Sequence, residues 1–375
     1  MRDFTRVFKR AVRETPGYSL PRVSYRIKLN QNENPFPVPE EVRKEILGAI
    51  ASRDWNRYPE LGSGTLRRTL GDWLGVAPEQ VLVGNGSNEI LLAIFQSVLE
   101  PGKTLLTLSP TFSLYRHYGE IFGAKVIEVP LDGEFRFPAG QLLAAIREAQ
   151  PELVVLCSPN NPTGTALEEP VLVSLLEESP GLVIVDEAYH LFGGQDFLPL
   201  TQRYPNLVLT RSFSKAFAFA FGRFGFAVGA AEVLEQVAKV LLPYNLSGFT
   251  EAVVDVLVRR WPLLQQSVQE IVRERELLYR ALQGLPGVRV FPSAANFLLI
   301  RPEMDAEQLF WRLVREHGIL VRNVSGYPGL GNHLRISVGT PAENAELLKA
   351  LRAVLAGSGA DQRAAKVADG NARND

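Results

Sequence analysis

An α/β fold, with a mostly parallel sheet between helices followed by a smaller α+β domain, is predicted by three observations. From about residue 65 to 230, short β-branched runs alternate with amphipathic stretches. Those runs are apolar along their whole length, which suits parallel strands covered on both faces. Beyond about residue 250 the order changes to two helical stretches and then strands around another helix. With 375 residues, 46% hydrophobic and 22% charged, the chain can bury a large core and fill more than one domain.

Residues 1–38 read as an arm and loop, irregular and proline-containing, ending in LNQNENPFPVP. A helix is expected to start near Pro39, because Val42, Ile46, Ala49 and Ile50 recur at helical spacing behind first-turn acids. The large domain then takes residues 39–250. In order, VLVGNGSNE, TLLTLSPT, LVVLCSPN, LVIVDEAY, LVLTRSF and FGFAVG are its expected strands, with EILLAIFQSVL and FSLYRHYGEIFG among the helices between them. Residues 251–356 form the small domain: TEAVVDVLVRRW and VQEIVRERELLYRALQ as helices, VRVFPSAANFLLIR and HLRISVGT as strands. Residues 357–375 lose the apolar pattern and are expected to be a disordered tail.

Composition excludes several classes of function. Forty basic against 41 acidic residues leave a net charge of −1, so nothing global attracts nucleic acid or an anionic membrane. Any anion site must be local. The one cysteine, Cys157, forbids an internal disulfide, and no run of about 18 apolar residues or apolar leader is present, so a cytoplasmic location is expected. His117, His190, His317 and His333 lack metal-ligand spacing, and no metal site is expected.

In an open parallel sheet, ligands bind at the carboxyl ends of strands. After LVLTR comes SFSKAFAFAFGRFG, which sets Lys215 in surroundings too apolar for an ordinary surface lysine. A Schiff base resolves that difficulty, since an apolar setting lowers the amine's pKa and leaves it nucleophilic. LVIVDEAY ends in Asp186, a carboxylate that needs a cation such as a protonated pyridinium nitrogen, and Tyr189 can donate to the same ligand. LVVLCSPNNPTG ends near Asn161, an amide donor before a Pro-Thr-Gly turn. VLVGNGSNE turns at Gly84 and Gly86 and opens a helix at Ser87 and Asn88, offering N–H groups to a phosphate. Arg223, Ser212 and Ser214 add further phosphate contacts. Taken singly, each has a plainer reading: a snorkelling lysine, a cap, an ordinary βα turn, a nucleotide loop.

Together these motifs resemble the fold-type I aminotransferases. NPTG, then DEAY, then SFSK with arginine eight positions later carry that resemblance. LNQNENPF, NRYPE, GNGSNE, SPNNPTG, VDEAYHLF, SFSKAFAFAFGRFG, ILVRN and LRISVGT, in this order, make the chain similar to the histidinol-phosphate aminotransferases over roughly residues 15 to 355. The resemblance implies a seven-stranded large-domain sheet and pyridoxal 5'-phosphate as cofactor. Lys215 then forms the aldimine, Asp186 holds the pyridinium proton, and Asn161 and Tyr189 contact the phenolic oxygen. Phe112 occupies the position of the ring that stacks on the cofactor, commonly tyrosine, so its hydroxyl is missing here. Asn88 stands where many relatives have aspartate, and Phe221-Gly222 departs from the usual sequence before the arginine. Tyr58 of RYPE is implied to reach the cofactor phosphate of a neighbouring subunit, hence a homodimer.

The implied reaction interconverts histidinol phosphate and imidazole-acetol phosphate with glutamate and 2-oxoglutarate, in histidine biosynthesis. Arg335 is the implied partner of glutamate's α-carboxylate, and Arg322 and Tyr18 of the substrate phosphate. Singly, each arginine reads more readily as a surface or interface ion pair. An aromatic or broad-specificity aminotransferase and a phosphoamino-acid decarboxylase share the core and are the alternatives within enzymes. A non-catalytic phosphate-ligand protein is disfavoured, because it leaves Lys215, Asp186, Asn161 and Arg223 as unrelated accidents.

Overall fold

Short apolar runs buried along nearly their whole length form the centre of the molecule. The computed structural model describes residues 3–15, 17 and 22–371, with side chains to residue 356. After the small strand β1 (Ile27–Lys28), seven strands build the large sheet: β2 (Val81–Gly84), β3 (Thr104–Ser109), β4 (Lys125–Pro130), β5 (Leu153–Cys157), β6 (Leu182–Asp186), β7 (Leu207–Ser212) and β8 (Gly225–Gly229). Their order is β2-β8-β7-β6-β5-β3-β4, with β8 antiparallel to both neighbours and every other pair parallel. The expected strands and the seven-stranded sheet are all present.

The two faces follow from the side-chain period of two. Leu106, Leu108, Val154, Leu156, Val183, Val185, Leu207 and Leu209 point to one face, which the helices Ala139–Ala149 and Glu169–Glu178 cover. Leu105, Leu153, Val155, Ile184, Val208 and Ala227 point to the other, beneath the helix Ser87–Val98. A sheet covered on both sides needs strands without polar alternation, and that is how β5 to β8 read.

The small domain carries β9 (Val288–Val290), β10 (Phe297–Pro302), β11 (Ile319–Leu320), β12 (Arg322–Asn323) and β13 (Leu334–Ser337). Four of them form an antiparallel sheet, β12-β13-β10-β9, while β11 pairs in parallel with β1 and ties the N-terminal arm to this domain. The helix Glu40–Ala51 begins directly after Pro39, as its spacing predicts. The helix Gly248–Arg259 packs into the core beside Leu66, Leu70, Val81 and Phe226. The long helix Trp261–Gln283 joins both cores, with Leu264, Val268 and Ile271 in the first and Leu278 and Leu282 in the second.

The last helix, Pro341–Asn371, runs on through much of the segment expected to be a disordered tail. Its apolar face ends near Val354.

Candidate active site

The carboxyl ends of β5, β6 and β7, the turn after β2 and one edge of the small sheet surround a cavity of about 710 Å³. Ser87, Asn88, Phe112, Asn161, Asp186, Tyr189, Ser212, Ser214, Lys215, Arg223, Arg322 and Arg335 all line it. Residues spread over nearly 250 positions therefore converge, because parallel strands deliver their following loops to one side of the sheet.

Lys215 sits at the cavity wall, where its Nζ donates to the backbone oxygen of Gln31 at 2.7 Å. Burial, and then the nearby Arg335 charge, lower its pKa to about 7, so near neutral pH much of the amine is uncharged and nucleophilic. Asp186 ends β6 and is 4% exposed. Burial raises its pKa, opposed by hydrogen bonds from the Tyr115 hydroxyl at 2.7 Å and the Ala188 N–H at 3.2 Å. Among the described residues these partners are neutral, so a carboxylate here has more to gain from a cationic ligand.

Asn161 and Tyr189 are each oriented by a second residue. The Asn161 Oδ1 accepts from Arg335 at 2.5 Å, which turns the amide nitrogen toward other partners. The Tyr189 hydroxyl accepts from Asn32 Nδ2 at 3.0 Å, and Asn32 in turn is held by the Ser337 hydroxyl. Tyr189's own proton is thereby left to donate. Burial raises its pKa, so it stays a phenol. Phe112 lies edge-on to Tyr115, with ring centroids 5.6 Å apart.

The turn before the helix Ser87–Val98 is a cradle that only glycine permits. A Cβ at Gly225 of β8 would lie 2.2 Å from the Ser87 backbone nitrogen, and one at Gly86 would lie 2.8 Å from the Arg223 guanidinium. Gly86 also has a φ of 85°. Arg223 donates to the Ser214 hydroxyl at 3.0 Å and itself has a φ of 53°. Free N–H groups at a helix start, two serines and a guanidinium form an anion site. Arg322 and Arg335, which also line the cavity, are direct partners across β12 and β13. Arg335 also donates to the Asn30 backbone oxygen at 2.7 Å and lies over the Phe297 ring.

One expected contributor lies elsewhere, and a second falls outside the described residues. Tyr58 is 81% exposed, outside this cavity, and stacks on Tyr244 with ring centroids 4.6 Å apart. Tyr18 is outside the described residues. Several residues of the site have no signal of their own in the sequence. Asn30, Gln31, Asn32 and Glu33 come from the LNQNENPF loop, which carries part of the resemblance but no implied role in the site, and Tyr327, His117 and Tyr118 also line the cavity.

The arrangement joins a nucleophilic amine, a carboxylate seeking a cation, two oriented polar side chains, a cradle of N–H and hydroxyl donors beside Arg223, and a pair of neighbouring arginines. It agrees with what other proteins show. The aminotransferase class I and II family matches residues 25–351. Histidinol-phosphate aminotransferase 1 of Carboxydothermus hydrogenoformans is 39% identical over 350 residues, covering 93% of this chain and 99% of the relative. The chain belongs to the histidinol-phosphate aminotransferase family, within the class I and II aminotransferases. A second member, from Chlorobium phaeovibrioides, is 38% identical, with 95% of this chain and 99% of the relative covered. Among solved structures, the histidinol-phosphate aminotransferase of Sinorhizobium meliloti, in complex with pyridoxal-5'-phosphate, matches with a TM-score of 0.85 at 25% identity, covering 95% of this chain and 99% of that one. The expected aminotransferase fold is thus confirmed in this family member.

Proposed function

We propose that this aminotransferase uses pyridoxal 5'-phosphate to interconvert histidinol phosphate and imidazole-acetol phosphate with glutamate and 2-oxoglutarate. The observation that carries the reading is the pairing of Arg322 with Arg335 across β12 and β13, in the same cavity that Ser87 and Arg223 line. Two phosphates can then be held at once, one of the cofactor and one of the substrate. The Sinorhizobium meliloti relative's complex and the family membership support the choice of cofactor.

The residues fit that cofactor. Lys215 would bind its aldehyde carbon, Asp186 its pyridinium N–H, Asn161 and Tyr189 its phenolic oxygen, and Phe112 the face of its ring. Ser87, Asn88, Ser212, Ser214 and Arg223 would hold its phosphate, with Gly86 and Gly225 leaving the room. When bound, the cofactor supplies an electron sink that acidifies the substrate's Cα–H. Lys215 takes the proton from Cα, a role for which an amine with a pKa near 7 is suited. Asp186 keeps its charge when it faces a cation, because the pair offsets the burial that otherwise raises its pKa. Arg335 binds the α-carboxylate of glutamate, and Arg322 and Tyr18 the phosphate of histidinol phosphate.

A homodimer completes the proposal, with Tyr58 reaching the partner's cofactor phosphate. Trp55, Tyr58, Leu61 and Phe221 are 65–99% exposed, an apolar surface of the kind that subunit contact covers. We place the reaction in the cytoplasm, with which the free, buried Cys157 is compatible.

The test is a spectral titration of the purified holoenzyme with histidinol phosphate, beside phenylalanine and glutamate. Histidinol phosphate should convert the cofactor to its amino form at far lower concentration than phenylalanine. If phenylalanine is the better donor, the substrate assignment and the roles of Arg322 and Tyr18 fall, while the roles of Lys215 and Asp186 stand.

A further inference from the structure

A second cavity, of about 350 Å³, opens where the two domains meet. The large domain supplies Pro110 and the stretch from Pro130 to Phe135. The small domain supplies Arg289, Phe291, Arg301 and His333. It is separate from the site described above, yet Pro328 and Gly329 in its wall directly follow Tyr327, and His333 lies two residues before Arg335.

Its charges are unbalanced. Arg289 and Arg301 are direct partners across the antiparallel strands β9 and β10, and like charges so placed destabilise a sheet unless something answers them. Arg289 is answered by Glu134, whose two oxygens accept at 2.6 and 2.8 Å. Arg301 has no acidic partner among the described residues. Asp132 also lines the cavity, but it is held by the Arg136 guanidinium at 2.8 Å and by the N–H groups of Glu134 and Arg136. His333 is 4% exposed, and its Nδ1 bonds the Gly331 backbone oxygen at 3.0 Å. Its Nε2 is buried with no hydrogen-bond partner among the described residues, a costly state for a ring nitrogen. Both arginines press on this histidine electrostatically. The apolar part of the wall is Phe135 against Phe291, ring centroids 5.0 Å apart, one from each domain. Such a lining, a few convergent polar groups on an apolar wall, is what small-molecule sites present.

The same four-stranded sheet bears a second cross-strand arginine pair, Arg322 with Arg335, at the active cavity. Its two ends thus repeat one device.

We propose that the inter-domain cavity binds a small oxyanion of the phosphate class, free or as a monoester, whose oxygens accept from Arg301 and Arg289 while a remaining P–OH donates to the bare Nε2 of His333. The organic part of a monoester packs against Phe135 and Phe291. Because both domains line the cavity, the anion bridges them. Because its wall continues into Tyr327 and Arg335, occupancy is felt at the active site. This site goes beyond the function proposed above and does not depend on it.

The test is calorimetric titration of the holoenzyme with inorganic phosphate, and separately with glycerol 2-phosphate. The wild type should show two binding events per chain. Arg301→Gln should weaken one of them by about tenfold or more, the effect of losing a charge-assisted contact. Arg322→Gln should weaken the other. Arg315→Gln, on the exposed side of the helix Ala306–His317, should alter neither. Arg301 is exposed and without an acidic partner among the described residues, so its substitution leaves the fold intact, and thermal melts check that. A single event that Arg322→Gln removes and Arg301→Gln leaves untouched overturns the proposal, as does equal weakening by Arg301→Gln and Arg315→Gln. A single event removed by Arg301→Gln alone supports it and counts instead against the phosphate role of Arg322.

Discussion

The amine of Lys215 and the carboxylate of Asp186 are shifted by the same cause in opposite directions: burial disfavours the charged form of each. For Lys215 the pKa falls to about 7, so the apoenzyme's amine is mostly protonated below pH 7 and mostly neutral above it. Only the neutral amine attacks an aldehyde. The rate of cofactor uptake by apoenzyme should therefore rise about tenfold per pH unit up to about 7 and then level off. Stopped-flow absorbance between pH 6 and 10 measures this, and a rate that keeps climbing to pH 10, the ordinary lysine range, would refute the shifted amine. For Asp186 the sign is reversed. Its folded-state pKa lies above the unfolded value, so the folded apoenzyme binds the proton more tightly and its stability declines as pH rises through that range. Asp186→Asn cannot ionise, and the Tyr115 hydroxyl can accept from the new amide where it now donates. The variant apoenzyme should melt higher than wild type at pH 8, by on the order of 1–3 kcal/mol, with the difference shrinking toward pH 4. Equal melting temperatures at pH 8 would mean that the carboxylate has other compensation.

At the scale of elements, the strands were legible because their cause is local: a strand buried on both faces must be apolar throughout, and LVVLC, LVIVD and LVLTRS are. The residues just past their ends, Asn161, Asp186 and Lys215, were legible for the same reason. The loop from Asn30 to Glu33 was not. It acts largely through the backbone oxygens of Asn30, Gln31 and Asn32, with the Asn32 side chain orienting Tyr189, and it meets Arg335, Lys215, Asn296 and Tyr189 only by tertiary docking. Glycine roles divide along the same line between pattern and context. Gly225→Ala would drive a Cβ to 2.2 Å from the Ser87 nitrogen, between two backbone segments that cannot yield. It should weaken cofactor binding about tenfold or more and destabilise the fold by about 1–3 kcal/mol. Gly48→Ala, inside the helix Glu40–Ala51 with nothing within 4 Å of the new atom, should instead stabilise by about 0.5–1 kcal/mol. Paired thermal melts and cofactor titrations separate the two, and a neutral Gly225→Ala would show that the β2 turn is not the rigid cradle described.

For the whole molecule, the question is whether one chain makes a complete site. Tyr58 is 81% exposed and stacks on Tyr244, away from the cavity that Lys215 lines. Trp55 and Phe249 pack edge to face beside it. So much exposed aromatic surface is costly in a monomer. The two-fold dimer proposed above would remove that cost and use it, because its isologous contact would carry Tyr58 of each subunit to the other's site. That geometry makes a specific demand on mixed dimers. Lys215→Ala and Tyr58→Ala subunits should each be nearly inactive alone. In their heterodimer, the site on the Lys215→Ala subunit lacks both groups, while the site on the Tyr58→Ala subunit keeps its own lysine and borrows an intact tyrosine. Random reassociation at equal concentrations gives heterodimers in half of the molecules, each with one good site, so activity should recover to about a quarter of wild type. If the tyrosine acted within its own chain, the site that keeps Lys215 would lack Tyr58 in every pairing, and mixing would restore nothing. Recovery after co-refolding, measured against the sum of the two variants kept apart, therefore decides between a site shared across the dimer and one closed within the chain.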